Sequence, residues 1–249
     1  MKKVIVFDLD ETLTETRSPI TDEMANLLSK LLSKYQVCVI SGGAFGQFDK
    51  QLLSNLKIDQ SLFKSLHLMP TCGTQYYNYD FDKSGWQRIY AKNIKKEDRQ
   101  KILAALNEAI DEMGYRIKNP VGPLIEDRGS QITYSAVGQD AHPSVKKQWD
   151  PSGDKKRKIR DQVATKIPNF EVKAAGTTSI DVTEQGMDKA FGMRELMKVL
   201  KVSKEEILFI GDRIWEGGND YPVKLMGIDT IAVHGFEHTP EVVRKILAE

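Results

Sequence analysis

Cysteine is scarce. Cys38 and Cys72 are the only two in 249 residues, too few for a disulfide framework in a chain of this size. Long apolar runs are missing as well. The opening "MKKVIVFD" begins like a signal peptide, but its apolar stretch stops at Phe7, where Asp8 interrupts it. Nothing approaches the roughly 20 apolar residues that a bilayer crossing takes. Neither sign of charge dominates: 36 Lys and Arg stand against 35 Asp and Glu, a formal net charge of +1, which argues against a nucleic-acid partner held by counterion release. The four histidines, His67, His142, His234 and His238, show no metal-ligand spacing with cysteine. The expectation is a cytoplasmic protein with no nucleic-acid or membrane partner, in which any bound anion is gripped locally.

What the chain does have is a 40% hydrophobic content arranged in short runs, enough for real cores. At the start, "KVIVFDLD", "TDEMANLLSKLLSKY", "QVCVISGG" and "FGQFDKQLLSNL" alternate strand and helix patterns. The same grammar resumes near the end with "MDKAFGMRELMKVLKV", "EEILFIGD" and "DTIAVHG". Strands apolar at every position predict a parallel sheet covered by helices on both faces. From about Ser84 to Glu184 the strands carry one polar face, which predicts an inserted antiparallel α+β unit. The expected fold is therefore α/β, a Rossmann-like core of residues 1–83 and 185–249 with an α+β insertion over 84–184. The linkers are placed near Asp82–Gly85 and Thr183–Gly186.

Ligands of open parallel sheets sit beyond the carboxyl ends of the strands. Asp8 and Asp10 follow the first strand, Ser41 with Gly42 and Gly43 the second, and Asp212, Asn219 and Asp220 a later one; Lys189 opens the helix before it. Asp8, Asp10 and Asp212 offer hard oxygen ligands suited to Mg²⁺. A carboxylate can attack a phosphoryl group to give an aspartyl-phosphate, and a second can protonate the leaving oxygen. Ser41, Lys189 and the backbone N–H groups of the "SGG" turn would neutralise the equatorial oxygens.

These segments, "DLDETLT", "SGG", "GMDKAFG" and "IGDRIWEGGND", resemble the four motifs of the haloacid dehalogenase superfamily of phosphotransferases, in order. The resemblance implies Asp8 as nucleophile, Asp10 as acid and base, both beside Mg²⁺, and an inserted cap of the type IIB kind. The chain is most similar to the phosphomannomutase-like branch. There the resemblance implies substrate contacts at Arg17 in "LTETR", Arg128 in "IEDRGSQITYSAVG", and Ser179 and Asp181 in "GTTSIDVTEQGMDKA". It also implies a sugar phosphate as substrate and a homodimer formed through the cap.

Departures from that branch decide the expected reaction. Two cap positions that are arginine in the mutases read here as Gln139 and Lys146, and the hydroxyl of motif two precedes the glycine pair at Ser41, with Ala44 after it. A mutase must hold a bisphosphate by its distal phosphate, which planar arginines do by bidentate contact. The sequence thus favours a phosphatase over a phosphomannomutase-type mutase, with a non-catalytic phosphate- or metal-binding module a distant third. Glu11 stands where glycine is usual and reads as a carboxylate in solvent or behind the site.

Overall fold

The structure, a computed structural model, describes residues 1–248. It divides into two compact units, residues 1–91 with 187–249 and residues 92–186. The first unit begins with β1 (Val4–Phe7), α1 (Asp22–Leu32), β2 (Gln36–Ile40), α2 (Phe45–Gln51), β3 (Leu66–Met69), β4 (Gln75–Asp80) and β5 (Gly85–Ala91). The second unit holds α3 (Lys96–Glu112), β6 (Ile125–Asp127), β7 (Ile132–Ser135), α4 (Pro143–Trp149), α5 (Asp154–Lys166), β8 (Phe170–Ala175) and β9 (Ser179–Glu184). The chain then returns to the first unit with α6 (Lys189–Leu200), β10 (Ile207–Gly211), α7 (Tyr221–Leu225), β11 (Asp229–Ala232) and α8 (Thr239–Ala248).

The larger unit is built on a seven-stranded sheet in the order β11-β10-β1-β2-β3-β4-β5. Its first five strands run parallel, and β4 and β5 add an antiparallel hairpin. The uniformly apolar strands bury both faces. On β1, Ile5 and Phe7 pack with α1 and α8, whereas Val4 and Val6 join Met193 and Leu196 of α6. Helix α1 follows a cap signal: Thr21 accepts a hydrogen bond from Met24 N–H, Asp22 and Glu23 fill the first turn, and Met24, Leu27, Leu28 and Leu31 are buried.

The smaller unit is a four-stranded antiparallel sheet, β6-β7-β9-β8. Ile132, Tyr134, Ile180 and Val182 form one apolar face, packed with Ile102, Leu106, Ile159 and Val163 of α3 and α5. The alternate residues give the sheet a polar face. The expected linker at Asp82–Gly85 is corrected here: it is the turn of the β4–β5 hairpin, and β5, placed by sequence in the insertion, completes the larger sheet. Its half-exposed residues gave an antiparallel signature that the sequence reading assigned to the insertion as a whole.

One buried group in this sheet sets a pH dependence. His67 on β3 is 3% exposed; its Nε2 lies 2.8 Å from Gln36 Oε1 and its Nδ1 2.8 Å from the Tyr76 hydroxyl. A neutral ring satisfies both, donating from Nε2 and accepting at Nδ1. Burial pushes its pKa down to about 4 from 6.5. The folded state thus binds fewer protons than the unfolded one between those values, so its contribution is complete above pH 6.5 and is lost as pH falls toward 4. The expected loss from this group is about 2 kcal/mol between pH 7 and pH 5. Denaturant titrations of the wild type and His67→Gln at both pH values check it: an equal acid loss in the two proteins would acquit His67.

Candidate active site

The site lies where β1, β2 and β10 end. Strand β1 stops at Phe7, and Asp8 continues the ladder by donating its N–H to the Ile210 carbonyl at 3.0 Å. The chain then turns sharply, with the N–H groups of Leu13 and Thr14 both donating to the Leu9 carbonyl, at 2.9 and 3.0 Å. Leu9 and Leu13 are buried and anchor the turn in the core. Glu11 sits at φ 58 and Arg17 at φ 60, both in the left-handed region. That backbone explains the usual glycine at Glu11's position, since only glycine adopts it without strain. Glu11 also has a role in the loop: its Oε1 accepts from Thr16 N–H at 3.1 Å and from the Thr16 hydroxyl at 2.6 Å.

Lys189 opens α6, whose first turn is capped by Asp188 accepting from Phe191 N–H at 2.9 Å. Its ammonium is wholly enclosed, 2.6 Å from Asp8 Oδ1 and 2.5 Å from Asp220 Oδ1. The other Asp220 oxygen accepts from Arg213 N–H at 3.1 Å. Gly211, at the end of β10, lets this carboxylate in, because a Cβ there would collide with it. Gly192 of α6 packs directly on Gly73, which seats the helix close to the turn after β3.

Asp8, Asp212 and Asp220 each bring a carboxylate oxygen within 4.8 Å of the other two. Against these three stand the buried Lys189 and the half-exposed Arg213, whose Nε is 3.6 Å from Asp212. Negative charge is in excess. Burial pushes the Asp8 carboxyl up; Lys189 draws it down, and Asp220 and Asp212 push it further up. Asp212 is raised for the same reasons, burial first and Asp220 second. Burial alone would lower the Lys189 ammonium, but Asp220 and then Asp8 hold it above its ordinary value. Hard, anionic and under-neutralised oxygens of this kind fit a divalent cation.

Of the three ligands expected from sequence, Asp8 and Asp212 lie together with Asp220, and Asp10 lies outside this carboxylate group. The Asp10 carboxylate is held by its own partners: Oδ2 accepts from Gln47 Nε2 at 2.8 Å, and Oδ1 from Gln51 Nε2 at 3.1 Å and Arg17 N–H at 3.2 Å. The strand alternation assumed for Asp8 and Asp10 ends at Phe7, so the turn decides where Asp10 points. Asp220, read from sequence as a supporting residue, joins Asp8 and Asp212 in this group, and Asn219 beside it is exposed.

Ser41 follows β2 and is 4% exposed; its Oγ accepts from Gly43 N–H at 3.2 Å. Two further bonds fix this turn, Cys72 N–H to Ser41 O at 2.9 Å and Thr71 N–H to Gly43 O at 3.0 Å. Thr12, fully buried, has an Oγ1 without a partner among the described residues. In the smaller unit, Thr133 and Asp181 face each other across β7 and β9, with the Thr133 hydroxyl donating to Asp181 Oδ1 at 2.7 Å. Ser179 begins β9 two residues before Asp181, on the same polar face. Arg128 donates from Nε and Nη2 to Glu126 Oε2 at 3.0 and 2.7 Å. Lys146 is 8% exposed and its Nζ donates to the Gln139 carbonyl at 2.9 Å.

Residues 24–249 match the family model described as eukaryotic phosphomannomutase. The chain belongs to that family. Among curated members, the phosphomannomutase of Encephalitozoon cuniculi is 25% identical over 240 residues, covering 89% of this chain and 84% of that protein. A probable phosphomannomutase of Caenorhabditis elegans is 26% identical over 264 residues, covering 100% and 96%. Solved structures share the fold at lower identity. The IMP-bound, N-terminally truncated Plasmodium falciparum IMP-nucleotidase superposes with a TM-score of 0.70 at 18% identity, covering 100% of this chain and 68% of that one. A haloacid dehalogenase-like hydrolase of Bacteroides thetaiotaomicron gives 0.66 at 16% identity, covering 99% and 100%. The phosphomannomutase family thus extends to this chain within the haloacid dehalogenase superfamily of phosphotransferases. Gln47 and Gln51 were the residues of the site that the sequence reading passed over, although two glutamines four apart on a helix share a face.

Proposed function

We propose that the protein is a Mg²⁺-dependent phosphosugar phosphotransferase that works as a phosphomannomutase. The observation that carries this reading is the family match over residues 24–249, with curated relatives named phosphomannomutase along nearly their whole length. It replaces the phosphatase that the sequence alone favoured. Asp8, Asp212 and Asp220 would hold the Mg²⁺, which when bound offsets charge on the carboxylates and the phosphoryl group. Asp8 attacks phosphorus in line and becomes the aspartyl-phosphate. Asp10 protonates the leaving sugar oxygen, then takes the proton of the next acceptor hydroxyl. Lys189 and Ser41, with the N–H groups of Gly42 and Gly43, stabilise the transferred group. The family resemblance supports Arg17, Arg128, Ser179 and Asp181 as proposed contacts for the sugar phosphate.

A second reading, hydrolysis, is favoured by one specific observation. Arg128 is already paired with Glu126, and Lys146 is tied to the Gln139 carbonyl, so these two cations are partly committed within the protein. Incubation with mannose 1-phosphate separates the two. A mutase is expected to form mannose 6-phosphate only when a hexose bisphosphate activator is added, with little free phosphate. Release of phosphate that is indifferent to the activator, with no isomer formed, would establish the hydrolase instead.

A further inference from the structure

The carboxylate of Asp10 is held by two side-chain amides from one helix. Gln47 and Gln51 stand one turn apart on α2 and donate to different oxygens of Asp10, at 2.8 and 3.1 Å. Neither contact is incidental to the fold around it. Gly43 has no side chain where a Cβ would strike the Gln47 amide. Gln51 is 2% exposed, and its Nε2 also donates to the Thr14 hydroxyl at 2.7 Å, inside the turn that carries Asp10. Its Oε1 is buried with no partner among the described residues. A buried acceptor without a donor is destabilising, and a methionine would fill the same space without that cost. The amide is kept where its N–H group meets Asp10.

We propose that Gln47 and Gln51 are positioning residues that aim Asp10 at the leaving oxygen, a role that rests on the phosphotransfer proposed above. Asp10 lies past the end of β1 in a loop that passes through left-handed residues at Glu11 and Arg17. Its side chain therefore gets no direction from a strand. A group that hands over a proton has to be held to within about half an ångström of its productive place. Four bonds do this: the amide of Gln47, the amide of Gln51, the backbone N–H of Arg17, and the tether of Gln51 to Thr14.

The test compares two phosphoryl donors. Nitrophenolate leaves p-nitrophenyl phosphate without needing a proton, whereas a hexose bisphosphate expels a sugar oxygen that does need one. The rate of phosphorylation of Asp8 is measured by rapid quench for the wild type, Gln47→Met and Gln51→Met, with Gln51→Ala as a second variant at the buried position. With the hexose bisphosphate, each variant is expected to fall by about 100-fold, the usual size of a general-acid contribution, and with p-nitrophenyl phosphate by less than about threefold. Equal losses with both donors would make the glutamines structural supports only, and no loss with either would deny them any role. A wild type that takes phosphate from neither donor would overturn the phosphotransfer reading itself, which is distinguishable from failure of the clamp.

Discussion

Replacing Asp8 by Asn is expected to lower turnover by on the order of 10⁴-fold or more while leaving the protein folded. The amide cannot attack phosphorus, so no aspartyl-phosphate forms, and a hydroxylamine-labile phosphate present on the wild-type protein should be missing from the variant. The fold should tolerate the change because of how the site treats the native charge. Asp8 is 4% exposed, and burial, Asp220 and Asp212 all push its carboxyl toward the neutral form, with Lys189 alone opposing them. An asparagine oxygen can still accept from Lys189 where Asp8 Oδ1 now lies at 2.6 Å. The metal-free variant should therefore melt at or above the wild-type temperature. Mg²⁺ should behave in the opposite way: at about a hundredfold excess over its dissociation constant it should stabilise the wild type by about 2.7 kcal/mol, and the variant by much less. Residual turnover within about tenfold of the wild type would remove Asp8 from the nucleophile's place.

The core sheet was readable because its signal is local. "VIVF", "VCVI" and "ILFI" are apolar at successive positions, and a strand buried on both faces can be little else. The motif residues were readable for a related reason: a parallel sheet delivers the ends of its strands to one edge, so Asp8, Ser41 and Asp212 converge by topology. What spacing does not carry is the direction of a side chain. Asp10 follows a turn that brings its carboxylate to Gln47 of α2, and Asp220 joins Asp8 and Asp212 through a gap left by Gly211. The β4–β5 hairpin was misplaced because β5 is an edge strand, with Arg88 and Ile89 exposed; half-exposed edges of a parallel sheet and strands of an inserted antiparallel one read alike. Glu11 is instructive in the same way. Its residue type says solvent, yet its backbone lies in the left-handed region and its carboxylate ties down Thr16.

Lys189→Met is expected to show the largest loss of stability. The ammonium is fully enclosed between Asp8 and Asp220, at 2.6 and 2.5 Å, with the Phe209 ring centroid 5.9 Å away. Removing the cation strands two carboxylates in a low-dielectric interior, which costs about 3–5 kcal/mol when one partner of a buried pair is lost. The melting temperature should drop by about 10 °C. The deficit should shrink in acid, since protonating the stranded carboxyls relieves the repulsion, and shrink again with Mg²⁺, which restores positive charge. Turnover should fall by on the order of 10³-fold, as when an electrostatic contact to a transferred group is removed. Stability and catalysis can be separated by adding Asp220→Asn to Lys189→Met. The double variant discards one positive and one negative charge together, so it should regain most of the lost stability, while its turnover stays low because it lacks a proposed Mg²⁺ carboxylate as well as the ammonium. Recovery of both properties in the double variant would reduce Lys189 to a structural counter-ion.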